Sequence, residues 1–127
     1  MAQRTEQVID GQRFLIAEDE GLIAMLLEDV IERRGGTVVA TARSCDEVFA
    51  ALGVHSLDAI ILDVHLQGGT SEDVVAIASE KNIPVLLCTG SDPKTLPPIF
   101  FGLPILKKPW RDADAHLALA HLLAAAD

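Results

Sequence analysis

Short continuous apolar runs alternate along the chain with stretches whose apolar residues recur at helical spacing. Phe14 to Ala17 is one such run, ending on the acidic triplet Glu18-Asp19-Glu20, which suits a buried strand opening into a polar loop at its carboxyl end. From Gly21 onward, Ile23, Leu27, Val30 and Ile31 share one helix face, and Gly35-Gly36 stops that helix. Thr37 to Thr41 reads as a β-branched strand. Ser44, with Glu47 three residues on, is a capping box that opens a second short helix ending near Gly53. Ala59 to Leu62 is a further apolar run, and Asp63 follows it directly, just as Glu18 follows the first. Gly68-Gly69 breaks the chain, and Thr70 or Ser71 can cap a helix carrying Val74, Val75, Ile77 and Ala78. Ile83 to Cys88 predicts a fourth strand, followed by the small polar residues Thr89-Gly90-Ser91. Pro93, Pro97 and Pro98 limit any helix between Asp92 and Gly102 to a short or broken one, and the segment is expected to be mobile. Leu103 to Lys107 makes a short fifth strand, and Asp112 or Asp114 caps a last helix rich in Ala and Leu. Met1 to Gln12 lacks periodicity, as a loose tail or a short extension packed on the domain edge would.

Five apolar strands separated by helices imply an α/β domain over residues 13–127, after a tail of residues 1–12, with a mostly parallel sheet covered on both faces. In such sheets ligands bind beyond the carboxyl ends of the strands. Glu18 and Asp19 follow the first strand, Asp63 the third, Thr89 the fourth and Lys108 the fifth, so one crevice can collect them all. Three carboxylates in one place repel one another and are reconciled by a hard divalent cation such as Mg²⁺. A lysine and a hydroxyl opposite them complete a phosphate-sized site. The chemistry implied is in-line attack of a carboxylate oxygen on a phosphoryl group.

Charge narrows the partners. Ten Lys and Arg against 19 Asp and Glu leave a formal net charge of −9, which repels nucleic-acid backbones and acidic lipid, so neither DNA binding nor membrane association is expected. The longest apolar stretches are broken by charge well short of a membrane span. Cys45 and Cys88 sit inside apolar patterns without a CxxC, which fits a reduced, cytoplasmic compartment.

Glu18-Asp19, Asp63, Thr89 and Lys108-Pro109, in this order and at these strand ends, resemble the five-part active site of response-regulator receiver domains. The resemblance spans about Phe14 to the C-terminus and implies a flavodoxin-like, doubly wound sheet of order 2-1-3-4-5, with a fourth helix that is short or irregular here. It implies that Asp63 accepts a phosphoryl group from a sensor histidine kinase or a phosphotransfer protein. Asp19, Asp63 and the main-chain carbonyl of His65 would ligate Mg²⁺, with Glu18 acting through a metal-bound water. Thr89 would hydrogen-bond the phosphoryl group and Lys108 would pair with it. The Lys108-Pro109 bond would be cis and aim the lysine inward, and Gly90 would leave the site open to its donor. The output would be contact with a downstream protein target, and a homodimer is compatible with the family. Leu87-Cys88-Thr89-Gly90 is similar to the Phe-Ala-Thr-Gly signature of the FATGUY receivers, which are often stand-alone and associated with histidine kinases of the HWE type.

The sequence also departs from the family pattern. Ile105 stands where most receivers carry an aromatic switch residue, so the usual ring flip has no ring. Taken singly, each feature has an ordinary explanation: acidic pairs and Asp63 as helix N-caps, Thr89 as a strand-end hydroxyl, Lys108-Pro109 as a turn with Lys107 as a competing lysine. His65 reads equally as an exposed loop residue, and Cys88 as a small core residue. His116 and His121, five apart, do not share a helix face, and Leu117, Leu119, Leu122 and Leu123 cover more than one. Two rival functions remain. A phosphohydrolase forming an aspartyl phosphate would want an acid where His65 stands, and a phosphorylation-independent receiver would not need the intact acidic pair, acceptor, hydroxyl and lysine.

Overall fold

The computed structural model describes residues 8–126. Five strands form one parallel sheet: β1 (Arg13–Ala17), β2 (Thr37–Ala42), β3 (Ala59–Leu62), β6 (Val85–Thr89) and β7 (Ile105–Lys107). They lie in the order β2-β1-β3-β6-β7, which is 2-1-3-4-5 counted along this sheet. Among the described residues, α1 (Gly21–Glu32), α2 (Cys45–Val54), α3 (Glu72–Glu80) and α4 (Asp112–Ala126) cover it. The fold is thus the doubly wound one that the apolar runs predict.

Strand alternation decides which helix covers which face. Phe14, Ile16, Ile61, Leu86 and Cys88 point to the side covered by α1 and α4, where Leu27, Ile31, Leu119 and Leu123 complete the core. Leu15, Ala17, Ile60, Leu62 and Leu87 point to the other side, against Val48 of α2 and Val74 and Ala78 of α3. Because the inner strands are buried on both faces, their sequences are continuous apolar runs instead of alternating ones. The core reaches the end of the preceding chain too. Ile9 is fully buried in the α1 cluster, and Gly11 N–H donates to the Gly35 carbonyl at 2.9 Å. Ile9 also fills space over Gly36, where an added Cβ would lie 2.7 Å from Ile31 and 3.1 Å from Ile9. Residues 1–7 of the expected tail lie outside the described residues.

Several local expectations are corrected. Ile83 and Pro84 precede β6 because Ile83 N–H closes α3 on the Ala78 carbonyl, while the Pro84 carbonyl accepts from Ile60. Pro104 precedes β7, offering only its carbonyl, which accepts from Leu87. Residues 65–70 form a small antiparallel hairpin, β4 (His65–Leu66) with β5 (Gly69–Thr70), that the apolar pattern does not reveal. Ser71 occupies the N-cap position of α3, but its hydroxyl makes no cap bond. Asp112 does not cap α4; it ion-pairs with Arg33 and with Arg34, the latter at 2.7 Å, tying the end of α1 to the start of α4. Asp114 accepts instead from Arg111 N–H at 3.1 Å, one half of a capping box.

The proline-rich segment is irregular, as expected: two single 3₁₀ turns, Pro93–Thr95 and Pro98–Phe100, replace a helix. Asp92 caps the first through Lys94 N–H at 3.0 Å. Against the expected looseness, Leu96 and Phe100 are buried in the α2–α3 side of the core. Prolines forbid the helix but do not remove the gain from burying a phenylalanine, roughly 1.5–3 kcal/mol. Among the described residues no helix is long and apolar enough to cross a membrane.

Candidate functional site

The carboxyl ends of β1, β3, β6 and β7 converge on one polar cleft. The register of the sheet brings the two acidic ends together, with Asp63 N–H donating to the Ala17 carbonyl at 2.9 Å and Glu18 N–H to the Ala42 carbonyl at 2.9 Å. Glu18 is 2% exposed and Asp63 7%, with Asp19 half-buried between them. One carboxylate oxygen from each of the three lies within 4.8 Å of the others. At this spacing the mutual repulsion is large unless positive charge enters.

Lys108 supplies part of it. Its N–H donates to the Thr89 carbonyl at 3.0 Å, which extends the β6–β7 pairing by one residue and turns the side chain over the acids. Nζ donates to Asp63 Oδ2 at 3.1 Å and lies 2.8 Å from Glu18 Oε1 and 3.5 Å from Glu20 Oε1. Glu18 Oε1 has no aligned hydrogen-bond donor, so this contact is one of charge. The Lys108-Pro109 bond is cis. Lys107, one residue earlier, is exposed on the strand.

Burial raises the Glu18 carboxyl to about 7, with Asp63 adding to the rise, against the opposing pull of Lys108 and of the Glu20 N–H that donates to it. Burial works against the charge on Lys108 too, but Glu18 and Asp63 outweigh it and hold the ammonium above its ordinary range. One lysine among three carboxylates leaves a negative cleft lined by hard oxygens, the donor set a divalent cation such as Mg²⁺ takes.

The remaining residues singled out from the sequence lie at the cleft or away from it. Thr89 is buried, and its Oγ1 accepts from Ser91 N–H at 3.1 Å. Gly90 is exposed, and a Cβ placed on it would meet only Lys108 Cβ, at 4.0 Å. His65 N–H donates to Asp63 Oδ1 at 3.2 Å while its side chain is exposed. Cys88 lies behind the cleft in the core, and burial pushes its thiol up to about 11, which makes it inert. His116 and His121 lie on α4, outside the acidic group. Two participants were not picked out as site residues from the sequence. Glu20 reaches Lys108, for which its place in the acidic triplet was the signal. Ser71 donates its hydroxyl to the Asp63 carbonyl at 2.9 Å, eight residues away, and a hydroxyl beside a helix start gave no hint of that.

A family model described as the response regulator receiver domain matches residues 14–99, two thirds of the chain. The chain belongs to this family. As a receiver domain it is a module of two-component signalling, and it is 31% identical over 86 residues to the transcriptional regulatory protein PdtaR of Mycobacterium tuberculosis. That match covers 67% of this chain and 42% of PdtaR, so the receiver spans less than half the length of that relative. The response regulator PhyR from Brucella abortus superposes with a TM-score of 0.82 at 27% identity, over 98% of this receiver and 54% of PhyR. The BeF3-activated conformation of SdrG from Pseudomonas melonis Fr1 superposes with a TM-score of 0.77 at 38% identity, over 87% of this receiver and 95% of SdrG.

Proposed function

We propose that this receiver takes up a phosphoryl group on Asp63 from a sensor histidine kinase, of the HWE type, or from a phosphotransfer protein. The observation that carries the reading is the reach of Lys108 to Asp63 Oδ2 inside a cleft holding two further carboxylates. An Asp63 oxygen attacks phosphorus, the new O–P bond forms as the bond to the donor nitrogen breaks, and the released imidazole takes a proton. Lys108 passes from Oδ2 to a phosphoryl oxygen, and the Thr89 hydroxyl turns from Ser91 N–H to donate to another. Asp19, Asp63 and the main-chain carbonyl of His65 would hold Mg²⁺, with Glu18 reaching it through water, and the ion supplies charge neutralisation at the phosphoryl oxygens.

In this reading the domain of residues 13–127, with Ile9 packed into its core, is a cytoplasmic phosphoacceptor whose enzymatic activity is limited to self-phosphorylation from small donors and loss of its own phosphoryl group. Its output is contact with a protein target or with a second copy, and nucleic acid and membrane are not partners. Support comes from the net charge of −9 and from likeness to SdrG, which has a BeF3-activated conformation. The test is Mg²⁺-dependent labelling by acetyl phosphate. Asp63→Asn and Asp63→Ala are expected to abolish it, because neither the amide nor the methyl can act as nucleophile. Labelling of Asp63→Asn at the wild-type level would overturn the assignment.

A further inference from the structure

We propose that Ser71 is a positioning residue for Asp63: its hydroxyl fixes the backbone on which the acceptor carboxylate stands. This rests on the reading of Asp63 as phosphoryl acceptor. Ser71 is fully buried, and Oγ lies 2.9 Å from the Asp63 carbonyl oxygen and 3.1 Å from that of Val64. Its backbone N–H donates to the Val64 carbonyl at 3.0 Å, so one residue closes the loop that leaves β3 at the acceptor and returns through the β4–β5 hairpin. Among the described residues the hydroxyl is the donor that reaches the Asp63 carbonyl. A buried carbonyl without a donor is costly, so the hydroxyl ties the 63–64 peptide to one orientation.

That orientation sets where the carboxylate points. Asp63 Oδ1 takes the His65 N–H at 3.2 Å and Oδ2 takes Lys108 at 3.1 Å, so the side chain is held from both ends only while its own peptide is fixed. A second, separate observation supports the role. Ser71 stands at the N-cap of α3, where a serine side chain ordinarily bonds the helix's free N–H groups, yet it makes no such bond. The helix start goes without its cap so that the hydroxyl can serve the acceptor loop, a local conflict of the kind that marks functional positions.

The experiment compares Ser71→Ala with Val74→Ala, a buried neighbour on α3 that makes no hydrogen bond to the loop, in acetyl phosphate labelling with Mg²⁺ across donor concentrations. Ser71→Ala is expected to slow the maximal labelling rate about tenfold, the equivalent of one lost buried hydrogen bond, with half-saturating donor concentration unchanged. Val74→Ala, which also destabilises the core, is expected to stay within about twofold. Equal slowing in the two variants, or an unchanged rate in Ser71→Ala, overturns the proposal. If Ser71→Ala does not fold, Ser71→Cys keeps the shape with a weaker donor and is read by the same criterion. Failure of the phosphoacceptor reading itself would appear separately, as an unlabelled wild type or a labelled Asp63→Asn.

Discussion

Lys108 and Asp63, 45 residues apart in sequence, meet at 3.1 Å because β7 and β3 flank β6 and both end on the same side of the sheet. Lys108 makes this contact, whereas the side chain of Lys107 is exposed on the strand. Lys108→Ala is expected to weaken beryllofluoride binding about tenfold or more, since a charge-assisted hydrogen bond contributes roughly 1.5–3 kcal/mol. Lys107→Ala is expected to leave it unchanged. Titration followed by amide chemical shifts checks both, and equal effects would place the functional lysine in the wrong register.

Without a divalent ion, the Glu18, Asp19 and Asp63 carboxylates face a single lysine. Glu18→Gln removes the most buried of the three charges and leaves Lys108 its bond to Asp63. The variant is expected to be more stable than wild type by about 1–2 kcal/mol in urea melts with EDTA. Added Mg²⁺ should narrow or reverse that difference, because binding stabilises the native wild type. A variant less stable than wild type in EDTA would mean that Lys108 fully compensates Glu18.

The ties from Arg34 and Arg33 to Asp112 give a pH-dependent contribution. These arginines hold the Asp112 carboxyl below its ordinary value of 3.8, with Arg34 the larger cause. A carboxyl depressed in the folded state contributes fully above 3.8 and loses its contribution as pH falls through the lower folded value. Asp112→Asn is therefore expected to cost about 0.5–1 kcal/mol at neutral pH, the small size reflecting partial exposure, and less at pH 2. Thermal melts at the two pH values check the sign.

The segment after β6 should respond unevenly. Ser91 hangs on Thr89 Oγ1 by one hydrogen bond, whereas Leu96 and Phe100 are buried. If Thr89 turns to the phosphoryl group, amide-exchange changes on adding beryllofluoride and Mg²⁺ are expected over residues 91–95 and not over residues 96–102. Uniform change across both halves would favour a movement of the whole segment.

The sheet was readable from the sequence because burial on both faces leaves no polar residue inside Ala59–Leu62 or Val85–Cys88, and the first polar residue then marks the strand end. Glu18, Asp63 and Thr89 were visible for that reason. Other features depend on distance in space, which spacing does not encode. Whether the Ser71 hydroxyl serves its own helix or the Asp63 carbonyl is decided by how the hairpin returns, and β4 and β5 have only two residues each. Asp112 looked like a cap because it stands at a helix start; the two arginines that claim it come from the turn that follows α1. The prolines announced the missing helix, while the anchoring of Phe100 follows from a gap in the core that no local pattern describes.

Ile9 bears on where this domain can be cut or grafted. A version beginning at Arg13, the first strand residue, would leave a hole beside Gly36, Ile31 and Phe14 that no glycine-lined wall can fill. By the measure of large-to-small core changes such a hole costs about 2–5 kcal/mol, a large part of what a domain this size has in reserve. Chimaeras that join this module to another output should therefore place the junction ahead of Val8, making the residues before the first strand part of the transplant.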